Sequence, residues 1–259
     1  MKYAIIHPDL RLQAYVQYFW TLEAEPDNCQ RDIRTFVDDS SGILMEFSSG
    51  KNDGTLQRTM VYGQTTTPTL NQNQKPFSVV GVLFHPCAIN ELFHLHAYEL
   101  TNRRIGLDDF LKVGISEAIA SKKTRSDKLN FLSHYLFSRL STSESADHLI
   151  RHCVAYIRQQ GGMLTVKDLQ VKFRISEKGL ERKFKEVIGV SPRHYLKVSR
   201  FRQAVKLLSG KAAGTMTDIT YELGYFDQSH FIKQTKELSG LNPGALKKEL
   251  TASVANLIV

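Results

Sequence analysis

The sequence predicts an α+β protein of two domains. The N-terminal domain is strand-rich with added helices. The C-terminal domain is all-α, with two helix-turn-helix motifs joined by a linker helix. Three observations predict this. Short β-branched and aromatic runs before about residue 100 give way to helical periodicity. A pattern recurs at about 50 residues within the C-terminal part. The charge is divided: of a net +8 over 259 residues, residues 1–145 hold −1 and residues 146–259 hold +9. Phosphate neutralisation drives much of nonspecific nucleic-acid affinity, so the basic excess favours a nucleic-acid partner for the C-terminal part. A solvated basic surface would carry the same charge.

The segments Ala14 to Leu22, Gly42 to Phe47, Thr59 to Tyr62 and Phe77 to Phe84 read as strands, separated by Gly, Asn, Asp and Pro. Short strands at this spacing suggest a small barrel or sandwich. Residues 88–97 and 105–140 read as helices. Leu129, Leu132, Leu136 and Leu140 form a stripe that serves either as a dimer seam or as packing on its own domain. The polar run Ser141 to Ser145 marks a boundary, dividing the chain into domains at 1–140 and 146–250. Beyond it the chain reads as helices broken only by short glycine turns.

Several classes are disfavoured. No apolar run approaches the ~20 residues that span a bilayer. Met1 to Leu10 lacks a signal-peptide pattern, which predicts a cytoplasmic protein. Cys29, Cys87 and Cys153 form no CxxC pair, so neither a disulfide framework nor a thiolate zinc site is indicated. No phosphate loop or nucleophile motif is present, and no cofactor is expected.

The repeat carries the most information. One copy opens Thr165-Val-Lys-Asp168-Leu169 and the other Thr215-Met-Thr-Asp218-Ile219. Each is a capping-box-like helix start, with a threonine and an acidic residue three positions on. A second helix starts at Ser176 in one copy and Asp227 in the other, both good N-caps. At a register of 51, Leu180 then matches Phe231, Gly189 matches Gly240 and Pro192 matches Pro243. Each copy is a capped helix, a tight turn, a capped second helix, a glycine stop and a proline restart. Between the copies, Ser191 to Leu208 forms a helix of about 27 Å, long enough to set two recognition helices about one duplex turn apart.

These residues resemble the DNA-binding domain of the AraC/XylS family of bacterial regulators, over about Ala146 to Lys248. The resemblance is carried by Ile175 to Lys185, Gly189-Val-Ser-Pro192, Arg200-Phe-Arg202, Asp218-Ile219 and Gly224 to Phe231. Three positions depart from the family pattern. Gln170 and Thr220 stand where a small residue is usual, and Thr235 replaces the core phenylalanine that Phe184 supplies in the first copy. Packing around the second recognition helix is then either looser or compensated by a neighbour.

The resemblance implies sequence-specific binding to double-stranded DNA. Leu180 and Phe184 take the buried side of the first recognition helix, leaving Lys178, Glu181, Arg182 and Lys185 outward. Arg182 suits bidentate pairing with guanine. Lys178 and Lys185 suit bases or phosphates, and Glu181 a cytosine amino group. In the second recognition helix the candidates are Gln228, Ser229, His230, Lys233 and Gln234. Arg193 and Arg200 flank the linker helix as phosphate clamps.

Regulators of this kind pair such a domain with one that senses an effector or forms a homodimer. Activators of the family also meet RNA polymerase. Residues 1–140 resemble a cupin-like domain through Tyr15 to Trp20, Tyr62-Gly-Gln64, Gly81 to Pro86 and Glu99-Leu-Thr101. A small barrel can enclose one small molecule, with Tyr18, Trp20, Phe84, His85 and Cys87 as candidate effector-binding residues. Two alternatives compete. His94 and His96 with Glu91 invite a metal-dependent cupin enzyme, but i and i+2 side chains diverge on a helix. A DNA-repair or architectural protein can use the same module, but with clustered cysteines that this chain lacks.

Overall fold

The computed structural model describes residues 2–24, 31–48, 55–73, 76–111, 114–140, 148–210 and 214–252. The predicted boundary at Ser141 to Ser145 and Cys29 lie outside them.

Among the described residues, eight strands occupy the N-terminal part: β1 (Lys2–Ile6), β2 (Val16–Ala24), β3 (Arg31–Thr35), β4 (Ser41–Ser48), β5 (Leu56–Tyr62), β6 (Thr69–Asn73), β7 (Phe77–Phe84) and β8 (Arg104–Gly106). Six form one antiparallel sheet in the order β1-β2-β7-β4-β5-β8, and β3 pairs with β6 apart from it. The barrel expected from strand spacing is therefore not closed. Closure needs both edge strands paired. Here β8 has only three residues and runs directly into a helix, so the edge turns away.

Side chains alternate across the large sheet. Phe19, Ile43, Met45, Val61 and Val82 face one way and are fully buried. They pack under α1 (Ala88–Phe93), α2 (Leu107–Leu111), α3 (Ile115–Ala120) and α4 (Arg125–Leu140). Trp20, Leu22, Leu44, Val79 and Leu83 face the other way. Two predicted helices are broken. The segment 105–140 begins as β8 and divides into three helices. The segment 88–97 stops when His94 turns left-handed (φ 52°), and Ala97–Leu100 forms a 3-10 turn. Leu129, Leu132 and Leu136 are buried in their own domain's core, so that stripe is packing.

The C-terminal helices are α5 (His148–Gln159), α6 (Val166–Phe173), α7 (Glu177–Ile188), α8 (Pro192–Ser209), α9 (Met216–Glu222), α10 (Gln228–Ser239) and α11 (Pro243–Ala252). They enclose two cores. One holds Ile150, Leu169, Leu180 and Phe184, and the other Ile219, Phe231, Leu238 and Leu246. The linker helix α8 serves both, with Tyr195 and Leu196 in the first and Val198 to Leu208 in the second. Among the described residues no helix is long and apolar enough to cross a membrane.

Candidate nucleic-acid interface

Each helix-turn-helix unit is built by its caps. The Thr165 hydroxyl accepts from the Asp168 N–H, and the Asp168 carboxylate accepts from the Thr165 N–H at 2.8 Å. Thr215 and Asp218 repeat this at 2.7 Å. Both boxes satisfy first-turn donors that a helix leaves unpaired. Ser176 caps α7 through the Gly179 N–H, and Asp227 caps α10 through the His230 N–H at 2.7 Å. Gly189 (φ 97°) and Gly240 (φ 75°) end the two recognition helices in the left-handed conformation. Ser191 and Asn242 then cap α8 and α11, each followed by proline.

The same geometry divides each recognition helix into a buried and an outward side. Leu180 and Phe184 are fully buried, and Phe184 meets Tyr195 edge to face with ring centroids 5.9 Å apart. Lys178, Glu181, Arg182 and Lys185 are exposed together on the outward side of α7. Arg182 donates to Glu186 at 3.2 Å, an exposed pair one turn apart that DNA would have to displace. On α10, Phe231 is buried while Gln228, Ser229, His230 and Lys233 are exposed. Gln234 is half-buried and accepts from the Tyr225 hydroxyl, and the His230 ring stands edge-on to Tyr225 at 5.3 Å.

Arg193 is exposed at the start of α8. Arg200 is half-buried. It donates to the Gly162 carbonyl at 3.1 Å and lies 5.4 Å above the Tyr225 ring, tying the entry of the first unit to the second. Thr220, one of the departures from the family pattern, is buried with its hydroxyl donating to the Met216 carbonyl at 2.7 Å.

The five candidate effector residues do not form one pocket. Trp20 lines a cavity of about 540 Å³ with Leu22, Leu44, Phe77 and Val79 on its apolar wall. Asp38, Glu46, Arg58, Tyr62, Arg103 and Arg104 are among the polar groups that line the rest of it. Register sets Trp20 opposite Gly81, and its indole lies where a Cβ on Gly81 would come within 2.3 Å. The Trp20 indole N–H is buried without a partner. Tyr18 and His85 line a separate crevice with His7 and Gln13. Burial there, with Arg158 nearby, pushes the His85 imidazole down to about 4. Phe84 faces the opposite side of the sheet and packs on Phe93. Cys87 is buried among residues of the first helix-turn-helix core.

Among the described residues no group of three His, Cys, Asp or Glu side chains is placed to hold a metal ion. The Glu91 carboxylate is held by Arg151, with one bond of 3.0 Å, and His96 stacks on Tyr98.

Sequence reading missed the seam between the sheet and the helices. Asp39 is 1% exposed and lies among Arg158, Arg202 and the Tyr195 hydroxyl. Arg158 donates to it at 2.8 Å and Tyr195 at 2.7 Å. Burial alone would raise its carboxyl, but the guanidiniums of Arg202 and Arg158 outweigh this and hold it below the ordinary range. Asp38 is pushed up to about 7, first by burial and then by the charge of Asp39. An Asp-Asp pair in a loop signals a turn, and nothing local marks it as the anchor for arginines more than 100 residues away.

Residues 170–249 match a family model described as a helix-turn-helix domain, and residues 4–106 match a domain of unknown function. No curated protein sequence matches the chain. Among solved structures, ToxT from Vibrio cholerae is similar at 14% identity over 90% of this chain and 99% of its own, with a TM-score of 0.47. The C-terminal domain of AraT, a response regulator from Geobacillus stearothermophilus, is 24% identical over 41% of this chain and 88% of its own, with a TM-score of 0.38. A probable AraC family transcriptional regulator from Rhodopseudomonas palustris is 24% identical over 40% of this chain and 98% of its own, with a TM-score of 0.36. At these scores the likenesses are of outline only. What decides is the helix-turn-helix match over a region whose two units repeat their caps, stops and shared linker helix. Over residues 170–249 the chain is a helix-turn-helix domain that resembles those of AraC/XylS-type DNA-binding transcriptional regulators.

Proposed function

We propose that the chain reads a specific duplex sequence mainly through α7, with α10 contributing weaker contacts, and that its N-terminal domain takes a small effector. The carrying observation is the outward side of α7. Lys178, Glu181, Arg182 and Lys185 are exposed there, while the C-terminal end of the helix is buried against the sheet domain. A helix fixed at one end and charged along its free side suits entry into the major groove. Arg182 reads guanine, Lys178 and Lys185 reach bases or phosphates, and Arg193 holds the backbone. On α10, Lys233 and Gln228 supply the longer polar reach, and Gln234 is engaged with Tyr225.

In this reading the domains run 1–140 and 146–250, and the former is a cupin-like fold left open. Its cavity suits a compact molecule with a flat apolar body against Trp20, Leu44 and Val79. A hydrogen-bond acceptor would meet the unpartnered Trp20 indole N–H. An anionic end would meet Arg103 and Arg104, both exposed at the cavity's rim. With the α4 stripe spent on the core, a homodimer would use the open edge β1, where Ile5 and Ile6 are exposed.

Selection of duplexes from a random pool by the purified protein tests the reading. A single enriched motif spanning two half-sites about 10 base pairs apart is expected. No enrichment over the starting pool would refute it.

A further inference from the structure

The segment Thr35–Asp39 runs between the sheet and the helices, and its residues divide by direction. Thr35 and Asp38 line the 540 Å³ cavity. Phe36, Val37 and Asp39 turn to the C-terminal domain. Phe36 and Val37 are buried inside the core of the second unit, among Phe201 of α8 and Phe231 and Leu238 of α10. The Phe36 ring meets Phe201 edge to face at 6.4 Å. The Val37 N–H donates to the Leu238 carbonyl at 2.9 Å, one of the last-turn acceptors that a helix cannot satisfy by itself. Asp39 reaches α5 and α8 through Arg158, Tyr195 and Arg202.

The repeat supplies a second observation. The first unit closes its core with the aromatic pair Phe184 and Tyr195. The positions 51 residues later are Thr235 and Leu246, both buried, and the Thr235 hydroxyl has no partner. The second unit has lost the pair, and Phe36 and Val37 of the sheet domain complete its core.

We propose that Thr35–Asp39 is a strap through which the cavity controls the second helix-turn-helix unit. This rests on reading the cavity as an effector site. A molecule seated against Thr35 and Asp38 displaces Phe36 and Val37 from their place in the second core and changes the pose of α10. The linker helix and Asp39 hold the first unit steady meanwhile. Coupling between two sites is reciprocal, so duplex bound at α10 must in turn alter the cavity.

Trp20 lines that cavity and is the chain's one tryptophan, so its emission reports there alone. The probe is a duplex enriched by the wild-type protein from the random pool, labelled so that anisotropy measures binding independently. Saturation with this duplex is expected to shift Trp20 emission in the wild type. Phe36→Ala, and the milder Phe36→Leu should the first fold poorly, are expected to halve that shift or more and to weaken binding at least about fivefold. Leu44→Phe fills the cavity from its apolar wall in place of an effector. It is expected to change duplex affinity in the wild-type background and not with Phe36→Ala. An emission shift absent in the wild type, or unchanged in both Phe36 variants, would overturn the strap. Should the Phe36 variants behave as expected while Leu44→Phe leaves affinity unchanged, the effector reading of the cavity fails and control by the cavity falls with it.

Discussion

The hydroxyl of Thr101 donates to the carbonyl of Gly189 at 2.8 Å, bonding the sheet domain to the stop of the first recognition helix. Gly189 is left-handed, and a Cβ on it would lie 2.7 Å from the Thr101 hydroxyl and 3.0 Å from the Ala97 carbonyl oxygen. Its counterpart Gly240, also left-handed, would meet the Arg34 guanidinium at 2.9 Å, the far end of a flexible side chain, and Pro68 Cγ at an ordinary 3.7 Å. Gly189→Ala is therefore expected to lower unfolding free energy by more than ~1 kcal/mol, and Gly240→Ala by less. Urea denaturation of the two variants checks the order.

The two capping boxes belong to separate cores, so their contributions should add. Thr165→Ala and Thr215→Ala should each cost about 1 kcal/mol, and the double variant about 2 kcal/mol. A double variant no less stable than either single one would contradict the independence of the units.

These caps, with the glycine stops and proline restarts, were legible because each is decided by a few adjacent residues. The same holds for β2, β4, β5 and β7, which are rich in β-branched and aromatic residues. β1, β3 and β6 were not legible, since Lys2–Ile6, Arg31–Thr35 and Thr69–Asn73 are polar or exposed and owe their pairing to neighbours. The cavity was half legible. Trp20 belongs to it, but Phe84 and Cys87 do not, because which face a side chain takes depends on register and on what covers the sheet. The seam was invisible. That Phe36 and Val37 join the core of the second unit, with Phe36 against Phe201, is a contact between distant segments with no local signature.

Asp38 gives a pH dependence. Its carboxyl is raised to about 7 in the folded chain, above the ordinary value of about 4. Below about pH 4 both states hold the proton, and between about 4 and 7 only the folded state keeps it. Stability from this group therefore falls as pH rises through that window. Asp38→Asn removes the loss, so the variant should gain on the wild type from about pH 5 to 7, by at most ~1.4 kcal/mol per pH unit. Paired urea titrations at several pH values measure it. A difference that does not grow with pH would contradict the raised carboxyl.

Arg182→Ala and Arg193→Ala should fail differently. Loss of Arg182 should remove about 1–3 kcal/mol of discrimination at one guanine position. Loss of Arg193 should weaken all duplexes alike and lower the salt slope by about 1. Competition titrations with single-base variants of the enriched duplex separate the two.

In the proposed function, two unequal helix-turn-helix units read a duplex, with α7 dominant. The most direct measurement is the affinity of the purified protein for its enriched duplex and for a scrambled one of the same composition, at about 0.15 M salt. Tighter binding to the enriched duplex by ~10³-fold or more is predicted, with scrambling of the α7 half-site costing more than scrambling of the α10 half-site. Equal affinity for the enriched and scrambled duplexes would contradict it.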